Sequence, residues 1–259
     1  MNGKLQVVAE SASGAACARP RPAARAVPSP GANELLAVLP AAQLAALLPH
    51  LELVYMARGA CLYELGSSLN HVYFPARGIV SLGYVAANGE TTELALVGRE
   101  GVIGVEAFLG TGRSSHRACV QAMCAVYRLP LKVARSKFAE GGAFQQALLK
   151  YAHCLMLHIS QTSICNLHHS LEQRLCRSLL QSVDRAGSNT LLMTQDMLAS
   201  LVGGRRQGIS EAIQKLRDRD LIACERGSIT VLDRDGLLGI ACECHVVVKA
   251  RIERLVGVL

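Results

Sequence analysis

Residues 193–216, with the sequence MTQDMLASLVGGRRQGISEAIQKL, decide the fold of this chain. Thr194 carries the side-chain oxygen that commonly caps the start of a helix, so a first helix is predicted to begin there. The pair Gly203-Gly204 interrupts the pattern, and a second helix is predicted from Arg205, because apolar residues recur every three or four positions after it. Two short helices joined by a glycine turn are typical of a helix-turn-helix.

The outward face of the second helix carries side chains suited to reading DNA. Such a helix enters the major groove by its N-terminal residues, where Arg pairs with guanine and Gln with adenine. The candidate DNA contacts, including the start of the first helix, are Thr194, Gln195, Arg205, Arg206, Gln207, Ser210 and Glu211. The structural alternative is a solvated helical hairpin inside a larger fold.

Residues 221–232 follow as two apolar runs around a turn that contains Gly227, which predicts a β-hairpin. Arg226 at its tip is predicted to contact phosphate, which positions a protein on DNA without reading the base sequence. A helix-turn-helix with such a hairpin is a winged helix.

Between residues 51 and 129, short apolar runs alternate with turn signals at intervals of about ten residues. Asn88-Gly89 is the strongest signal, because both central residues of a type I′ hairpin turn need positive φ. The pattern predicts a β-sandwich or barrel. Its strands are expected near residues 51–56, 60–64, 71–75, 79–86, 91–97, 101–105 and 117–129.

A helical period replaces the strand pattern after Pro130, and residues 143–167 show alternating spacings of four and three, as in a coiled-coil seam. The dimer interface is therefore predicted at Leu148, Ala152, Leu155, Ile159, Thr162 and Asn166. The alternative is an ordinary helix that is buried on its own domain. A further helix is expected over residues 169–185, ended by Gly187.

Length and composition bound the remaining possibilities. The 259 residues suggest two domains, and 51% hydrophobic with 18% charged residues is a globular composition. No apolar run is long and unbroken enough to span a bilayer, so a membrane protein is excluded. Nearly half of the net charge of +7 lies in residues 1–33, so net charge alone argues weakly for DNA binding.

The compartment follows from the ten cysteines and the N-terminus. The cysteines are scattered through a long chain, and no apolar export segment precedes them. A cytoplasmic location is expected, with most thiols acting as small buried hydrophobes. The predicted division is a disordered tail over residues 1–33, a β-roll over 34–140, a dimerisation helix over 141–168 and a DNA-binding domain over 169–259.

The order of roll, long helix, helix-turn-helix and wing resembles the Crp/Fnr family of bacterial transcription regulators over about residues 34–235. The most specific matches are VGGRRQGISE at residues 202–211 and YFPARG at residues 73–78. The resemblance implies an α+β fold: an N-terminal double-stranded β-helix or jelly roll of the cyclic-nucleotide-binding type, a long dimerisation helix and a C-terminal winged helix-turn-helix. It also implies a homodimer on an inverted repeat of double-stranded DNA, RNA polymerase as a candidate partner and a small-molecule effector that the sequence leaves unidentified.

By the same resemblance, base reading would fall to Arg206, Gln207, Ser210 and Glu211. Family members commonly have Glu where Gln207 stands and Arg where Glu211 stands, so the family's usual operator is not expected.

The sensor region departs further from the family. Nucleotide-binding members hold the ribose with a Gly-Glu pair and the cyclic phosphate with an Arg-Ser pair. Here Val105 replaces the Glu, and valine cannot accept a ribose hydrogen bond. A shift of one residue would restore Glu106 and Arg117. The candidate effector residues are Gly104, Glu106, His116 and Arg117, and an empty or repurposed pocket is favoured.

A metal, haem or redox sensor is the alternative mechanism. Cys154 with His158, and Cys165 with His169, lie four residues apart and share a helix face. The run 242–245, Cys-Glu-Cys-His in a last helix after Asp233, has the wrong spacing for a tetrahedral zinc site. No cofactor and no metal are therefore expected.

The common signatures of hydrolases, nucleotide-binding loops and zinc proteases are missing from the sequence, so a catalytic function is not expected. A signalling module that binds a ligand but not DNA remains the alternative class.

Overall fold

The computed structural model describes residues 26–87, 89, 91–110 and 112–257. Its N-terminal part is an antiparallel β-roll in which β5 pairs with β1, β2 and β3, and β3 also pairs with β4. The strands are β1 (Glu52–Met56), β2 (Cys61–Tyr63), β3 (His71–Val85), β4 (Thr91–Val97) and β5 (Arg117–Pro130). The predicted α+β fold, with a roll before a helix-turn-helix, is confirmed.

Two strand predictions are corrected. The strands expected at 71–75 and 79–86 form the single strand β3, whose register against β5 shifts around Gly78. Gly78 has φ of 91°, so the chain bends without ending the ladder. Residues 101–105 contribute only an isolated bridge between Ile103 and Tyr73. In the β3–β4 turn, Gly89 has φ of 83°, while Asn88 lies outside the described residues.

The fold begins earlier than the predicted end of the tail. Asn33 is fully buried, and its side-chain amide donates to the carbonyls of Pro75 and Gly101 at 3.0 and 2.9 Å. Its oxygen accepts from the Leu36 N–H and caps the first helix. Tyr127 Oη also donates to the carbonyl of Pro28 at 2.7 Å. The chain is therefore attached to the roll from Pro28 to Asn33, and residues 1–25 of the predicted tail lie outside the described residues.

Nine helices occur in the part of the chain that the structure describes. They are α1 (Glu34–Ala37), α2 (Ala41–Leu47), α3 (Leu131–Ala139), α4 (Gly142–His168), α5 (Leu171–Ala186), α6 (Gln195–Val202), α7 (Arg206–Asp218), α8 (Arg234–Ile240) and α9 (Cys244–Gly257). The helix predicted over 169–185 is α5, which begins with a capping box between Ser170 and Gln173 and ends at Gly187 with φ of 60°.

The predicted coiled-coil seam on α4 faces the chain's own core. Four of its positions are buried, and the other two are partly buried. The buried ones are Leu148, Ala152, Leu155 and Thr162, and the partly buried ones are Ile159 and Asn166. The period of the sequence located a buried stripe correctly, but the partner of that stripe is the same chain. The dimer-interface prediction is therefore corrected.

The C-terminal part packs α5, α6 and α7 on a small sheet of β6 (Thr190–Leu191), β7 (Ile222–Glu225) and β8 (Ser228–Val231), in the order β6-β8-β7. Its core also includes Ile79 and Leu96 from the roll, so the two parts share one apolar interface. A buried ion pair between Arg185 and Glu100, at 2.8 Å, crosses the same boundary.

The last predicted helix is in fact two helices. α8 ends at Ile240 and α9 begins at Cys244, with Ala241 in an extended conformation between them. α8 contains Gly236 and Gly239, and glycine inside a helix costs roughly 1 kcal/mol relative to alanine. Cys242 and Glu243 are therefore loop residues.

Most cysteines behave as expected, but one pair differs. Cys61 of β2 and Cys119 of β5 form a disulfide, whereas the other seven described cysteines are free. Among the described residues, no helix is both long and apolar enough to cross a membrane.

Candidate nucleic-acid interface and sensor site

The helix-turn-helix is built from local signals. The Thr194 side chain accepts a hydrogen bond from the Met197 N–H and caps α6, as predicted. Gly203 then adopts φ of 62°, a left-handed conformation that a side chain would disfavour, and this ends α6. Arg205 is the N-cap of α7. The inward residues of both helices are buried together: Leu198, Leu201, Ile209, Ala212, Ile213 and Leu216.

The first turn of α7 is exposed to solvent. Arg206 Nε lies 3.3 Å from Asp196 Oδ1, and their side chains are 71% and 69% exposed. Gln207 donates to Glu211 Oε1 across one helical turn at 3.2 Å. Exposed pairs of this kind contribute little to stability, so a binding partner can replace them at small cost. The side chains of Asp196, Arg206, Gln207 and Glu211 are therefore available to a partner.

A hydrogen bond connects the two helices of the motif at this surface. The Ser210 hydroxyl donates to Gln195 Oε1 at 2.9 Å and to the Arg206 carbonyl at 3.1 Å. Gln195 and Ser210, predicted separately as DNA contacts, are thus held together. Ser210 is consequently less free to reorient toward a base than Gln207 is.

The wing completes the same surface. Arg226 is exposed between β7 and β8, and the turn is closed by Gly227 with φ of 79°. A cleft lined by Thr194, Gln195, Arg206, Glu225 and Ser228, among others, separates the wing from the two helices. The structure therefore brings the predicted contacts from α6 and α7 to one side of the domain, next to the wing.

Two features of this surface were missed from the sequence. One is Asp196, the partner of Arg206. It is an acidic residue in the first turn of α6, a position that the sequence alone could have singled out. The third strand of the wing sheet, β6, has only two residues and gives no periodic signal.

In the roll, Gly104 has a structural reason to be glycine. It starts the short 3-10 turn Val105–Phe108 with φ of 92°, and a Cβ there would lie 3.3 Å from the His71 carbonyl oxygen. Glu106 lies in that turn.

Glu106 and His116 meet at a buried tyrosine that the sequence did not indicate. Tyr63 Oη lies 3.0 Å from Glu106 Oε1 and 3.0 Å from His116 Nε2. Tyr63 and His116 are 8% and 5% exposed. Burial lowers the pKa of His116, which the nearby Glu106 carboxylate partly offsets. Since a neutral imidazole can donate from Nε2, Tyr63 accepts that bond and donates its own proton to Glu106.

This cluster, which we call the Tyr63–Glu106–His116 triad, offers a cyclic phosphate no cation. It contains a carboxylate, a phenol whose pKa burial and Glu106 raise well above its usual value, and an imidazole whose pKa is lowered. Its polar atoms already satisfy one another.

Arg117 does not join the triad. Alternate residues of β5 face opposite sides: Ala118 and Val120 are buried in the roll, and Arg117 points away. Its Nη2 contacts Glu64 Oε1 at 3.2 Å and the Cys61 sulfur at 3.1 Å. The alternative register, which would have placed Glu106 and Arg117 in one effector site, is therefore not seen.

Comparisons with known proteins agree with this architecture. Residues 53–140 match the model of the cyclic nucleotide-binding domain, and residues 173–240 match the Crp-like helix-turn-helix domain, together more than half of the chain. The chain is 23% identical over 201 residues to the CRP-like cAMP-activated global transcriptional regulator of Mycobacterium tuberculosis. That match covers 75% of this chain and 90% of the relative.

Two solved structures share the fold. A Crp/Fnr-family regulator from Eubacterium rectale has a TM-score of 0.64 at 16% identity, covering 80% of this chain and 96% of its own. A CRP-family regulator from Thermus thermophilus has a TM-score of 0.63 at 20% identity, covering 72% and 95%. With its roll, its exposed recognition helix and both family domains in order, the chain belongs to the Crp/Fnr family of transcription regulators.

Proposed function

We propose that this regulator is a cytoplasmic, non-enzymatic homodimer that binds an inverted repeat in double-stranded DNA. The observation that carries the proposal is the exposed first turn of α7, where Arg206 and Gln207 stand in solvent beside Glu211. A two-fold axis relates two such helices and sets the half-sites about 34 Å apart.

Individual side chains take different roles in this proposal. Arg206 and Gln207 read bases, because Arg forms two hydrogen bonds with guanine and Gln does so with adenine. Glu211 accepts from the exposed amino group of cytosine. Thr194, Gln195 and Arg205 lie at helix N-termini, where backbone N–H groups favour phosphate, and Arg226 reaches phosphate from the wing.

The dimer surface lies on the exposed side of α4. Six positions there repeat at spacings of four and three, as in a coiled-coil seam, and we call them the outer stripe. They are Leu149, His153, Met156, Ser160, Ser163 and Leu167. Leu149, Met156 and Leu167 are 43%, 56% and 79% exposed, which is costly for apolar side chains unless a second copy covers them.

The effector is not cyclic AMP in this proposal. Val105 stands at the ribose position, and the Tyr63–Glu106–His116 triad fills the place where a phosphate would need an Arg. The similar regulator of Mycobacterium tuberculosis is cAMP-activated. This chain has Val105 where the resemblance to nucleotide-binding family members would place the ribose-binding Glu.

Genome-wide footprinting of the wild-type protein tests the proposed function. The expected result is enrichment of a palindromic motif with half-sites about one helical turn apart. Absence of such enrichment under several growth conditions would instead support a ligand-binding signalling module that does not bind DNA.

A further inference from the structure

Four side chains with metal-binding atoms converge where the long helix meets the C-terminal helices. Cys165 and His169 come from the end of α4, whereas Cys242 and Cys244 come from the α8–α9 junction. All four ligand atoms lie within 4.8 Å of one another. The two halves are more than 70 residues apart in sequence, so neither half has the spacing of a zinc site by itself.

The separations match the coordination sphere of a single ion. Cys165 Sγ lies 3.5 Å from Cys242 Sγ, and Cys244 Sγ lies 3.5 Å from His169 Nδ1. In a tetrahedral site with zinc–sulfur bonds of about 2.3 Å, neighbouring sulfurs are about 3.7 Å apart. The ligands of a multi-iron cluster bind different irons and need wider separations than these.

The surrounding groups orient the ligands as the groups around a metal do. His169 Nε2 lies 3.3 Å from Glu243 Oε1, so the carboxylate holds the ring with Nδ1 directed at the cysteines. Gln161 Nε2 donates to Cys244 Sγ at 3.1 Å, a bond that stabilises a thiolate. These contacts give both the imidazole and one sulfur a fixed direction.

The cluster is shielded from water. Cys165, Cys242 and Cys244 are 0%, 4% and 0% exposed and form a packed group of their own. Three thiolates, one neutral imidazole and a divalent ion carry a net charge of −1. Arg177 of α5, the helix that follows His169, is buried, and two of its nitrogens have no hydrogen-bond partner among the described residues. A negatively charged site would partly compensate that cation.

We propose that Cys165, His169, Cys242 and Cys244 bind one Zn²⁺ ion in a closed Cys₃His site. Three soft thiolates with one imidazole favour zinc, and four protein ligands leave no open position, which is typical of a structural site. On binding, the three thiols release their protons to solvent.

The proposed ion would connect the two functional parts of the chain. His169 is the C-cap of α4, and Ser170 begins α5, so the site lies at the junction between the long helix and the DNA-binding domain. The other two ligands would fix the junction between α8 and α9. Zinc would thereby hold the DNA-binding domain at one orientation relative to α4. This proposal does not depend on the proposed inverted-repeat operator.

Metal analysis of the full-length protein, purified under thiol reductant, tests the site directly. We expect about one zinc per chain in the wild type and nearly none in Cys165→Ser or Cys242→Ser. Two variants serve as controls that should keep the zinc. Cys176→Ser removes a buried thiol of α5. Cys119→Ser breaks the Cys61–Cys119 pair, which lies beside Glu64 and forms the only other group of three potential metal ligands among the described residues. Loss of zinc in Cys119→Ser but not in Cys165→Ser would overturn the assignment.

Cobalt replacement on the wild-type chain avoids reliance on variants that fail to fold. We expect the strong visible bands of tetrahedral Co²⁺ with thiolate charge-transfer absorption, displaced by one equivalent of Zn²⁺. His169→Cys should keep the metal and increase the charge-transfer intensity. A protein without zinc or tetrahedral cobalt spectra under reducing conditions, a Cys165–Cys242 disulfide that persists in reductant, or an iron cluster with inorganic sulfide would each contradict the proposal.

Discussion

The exposed surface of the helix-turn-helix and the interior of the roll both gather polar side chains, but in opposite surroundings. Arg206 and Asp196 on the helix-turn-helix pair at 3.3 Å in solvent, with about 70% of each side chain exposed. Tyr63 and His116 in the roll meet at 3.0 Å with less than a tenth of each residue exposed.

The difference in burial decides how easily each region can exchange its own contacts for contacts to a ligand or partner. A solvent-exposed pair contributes little and is easily exchanged for a phosphate or a base edge. A buried, mutually satisfied cluster has lost its hydration already, so a ligand must replace every bond that it breaks. One region is therefore ready for a partner, whereas the other is closed around its own side chains.

The largest effect is expected at the outer stripe of α4. Met156→Glu places two like charges near the dimer axis and removes apolar burial in both copies, roughly 3 to 6 kcal/mol in all, or at least about 100-fold in dimer affinity. Leu109→Glu is the matched control, because Leu109 is 55% exposed and Met156 56%. Sedimentation at micromolar concentration should show a monomer only for Met156→Glu. Equal dimerisation of both variants would show that α4 does not form the interface.

The next effect is a pH dependence from Glu93. Its Oε2 accepts from Ser81 and Gln121 at 2.7 Å, and burial raises its pKa from 4.5 to about 7 although Arg177 and Arg185 act against the shift. Between pH 4.5 and 7 the folded chain keeps a proton that the unfolded chain has released. Stability therefore falls as pH rises through this window.

Glu93→Gln should remove that dependence. The free energy of unfolding of the variant, relative to wild type, should rise by roughly 2 to 3 kcal/mol between pH 5 and pH 8. Urea unfolding at four pH values measures it, and the difference cancels groups common to both proteins, such as the buried His158, whose pKa is lowered. Parallel curves for the two proteins would mean that Glu93 is not buried as the structure has it.

The smallest measured signal is expected when cyclic AMP is added to the wild-type protein. Two or more hydrogen bonds that would hold the charged nucleotide are missing, and each would contribute about 1.5 to 3 kcal/mol to its binding. Calorimetry should give no measurable binding below about 1 mM. A dissociation constant of about 10 μM or tighter, abolished by Arg117→Ala, would show that Arg117 turns into the roll and that the sensor has been described wrongly.

The sequence best predicted the features that depend on residues close together in the chain, such as helix caps, turns and amphipathic helices. The cap at Thr194, the glycine turn at Gly203 and the buried stripe of α7 are local, so propensity and period located the helix-turn-helix. The same reasoning located the strands, but it divided β3, because a bulge at Gly78 resembles a turn in sequence.

Contacts between distant residues were out of reach. Nothing in the sequence joins Tyr63 to Glu106 and His116, or Cys165 to Cys242, which only the closed roll and the docked C-terminal loop bring together. Periodicity on α4 revealed a stripe at Leu148 and Leu155 but could not tell whether the chain itself or a second copy covers it.

Binding of the footprinted operator and of a shuffled duplex, measured at one salt concentration, tests the central claim most directly. That claim is that α7 reads bases and the wing holds phosphate. Arg206→Ala should lose about 1 to 3 kcal/mol on the operator and little on the shuffled duplex, whereas Arg226→Ala should weaken both similarly. Equal losses on both duplexes for Arg206→Ala would contradict base reading by α7.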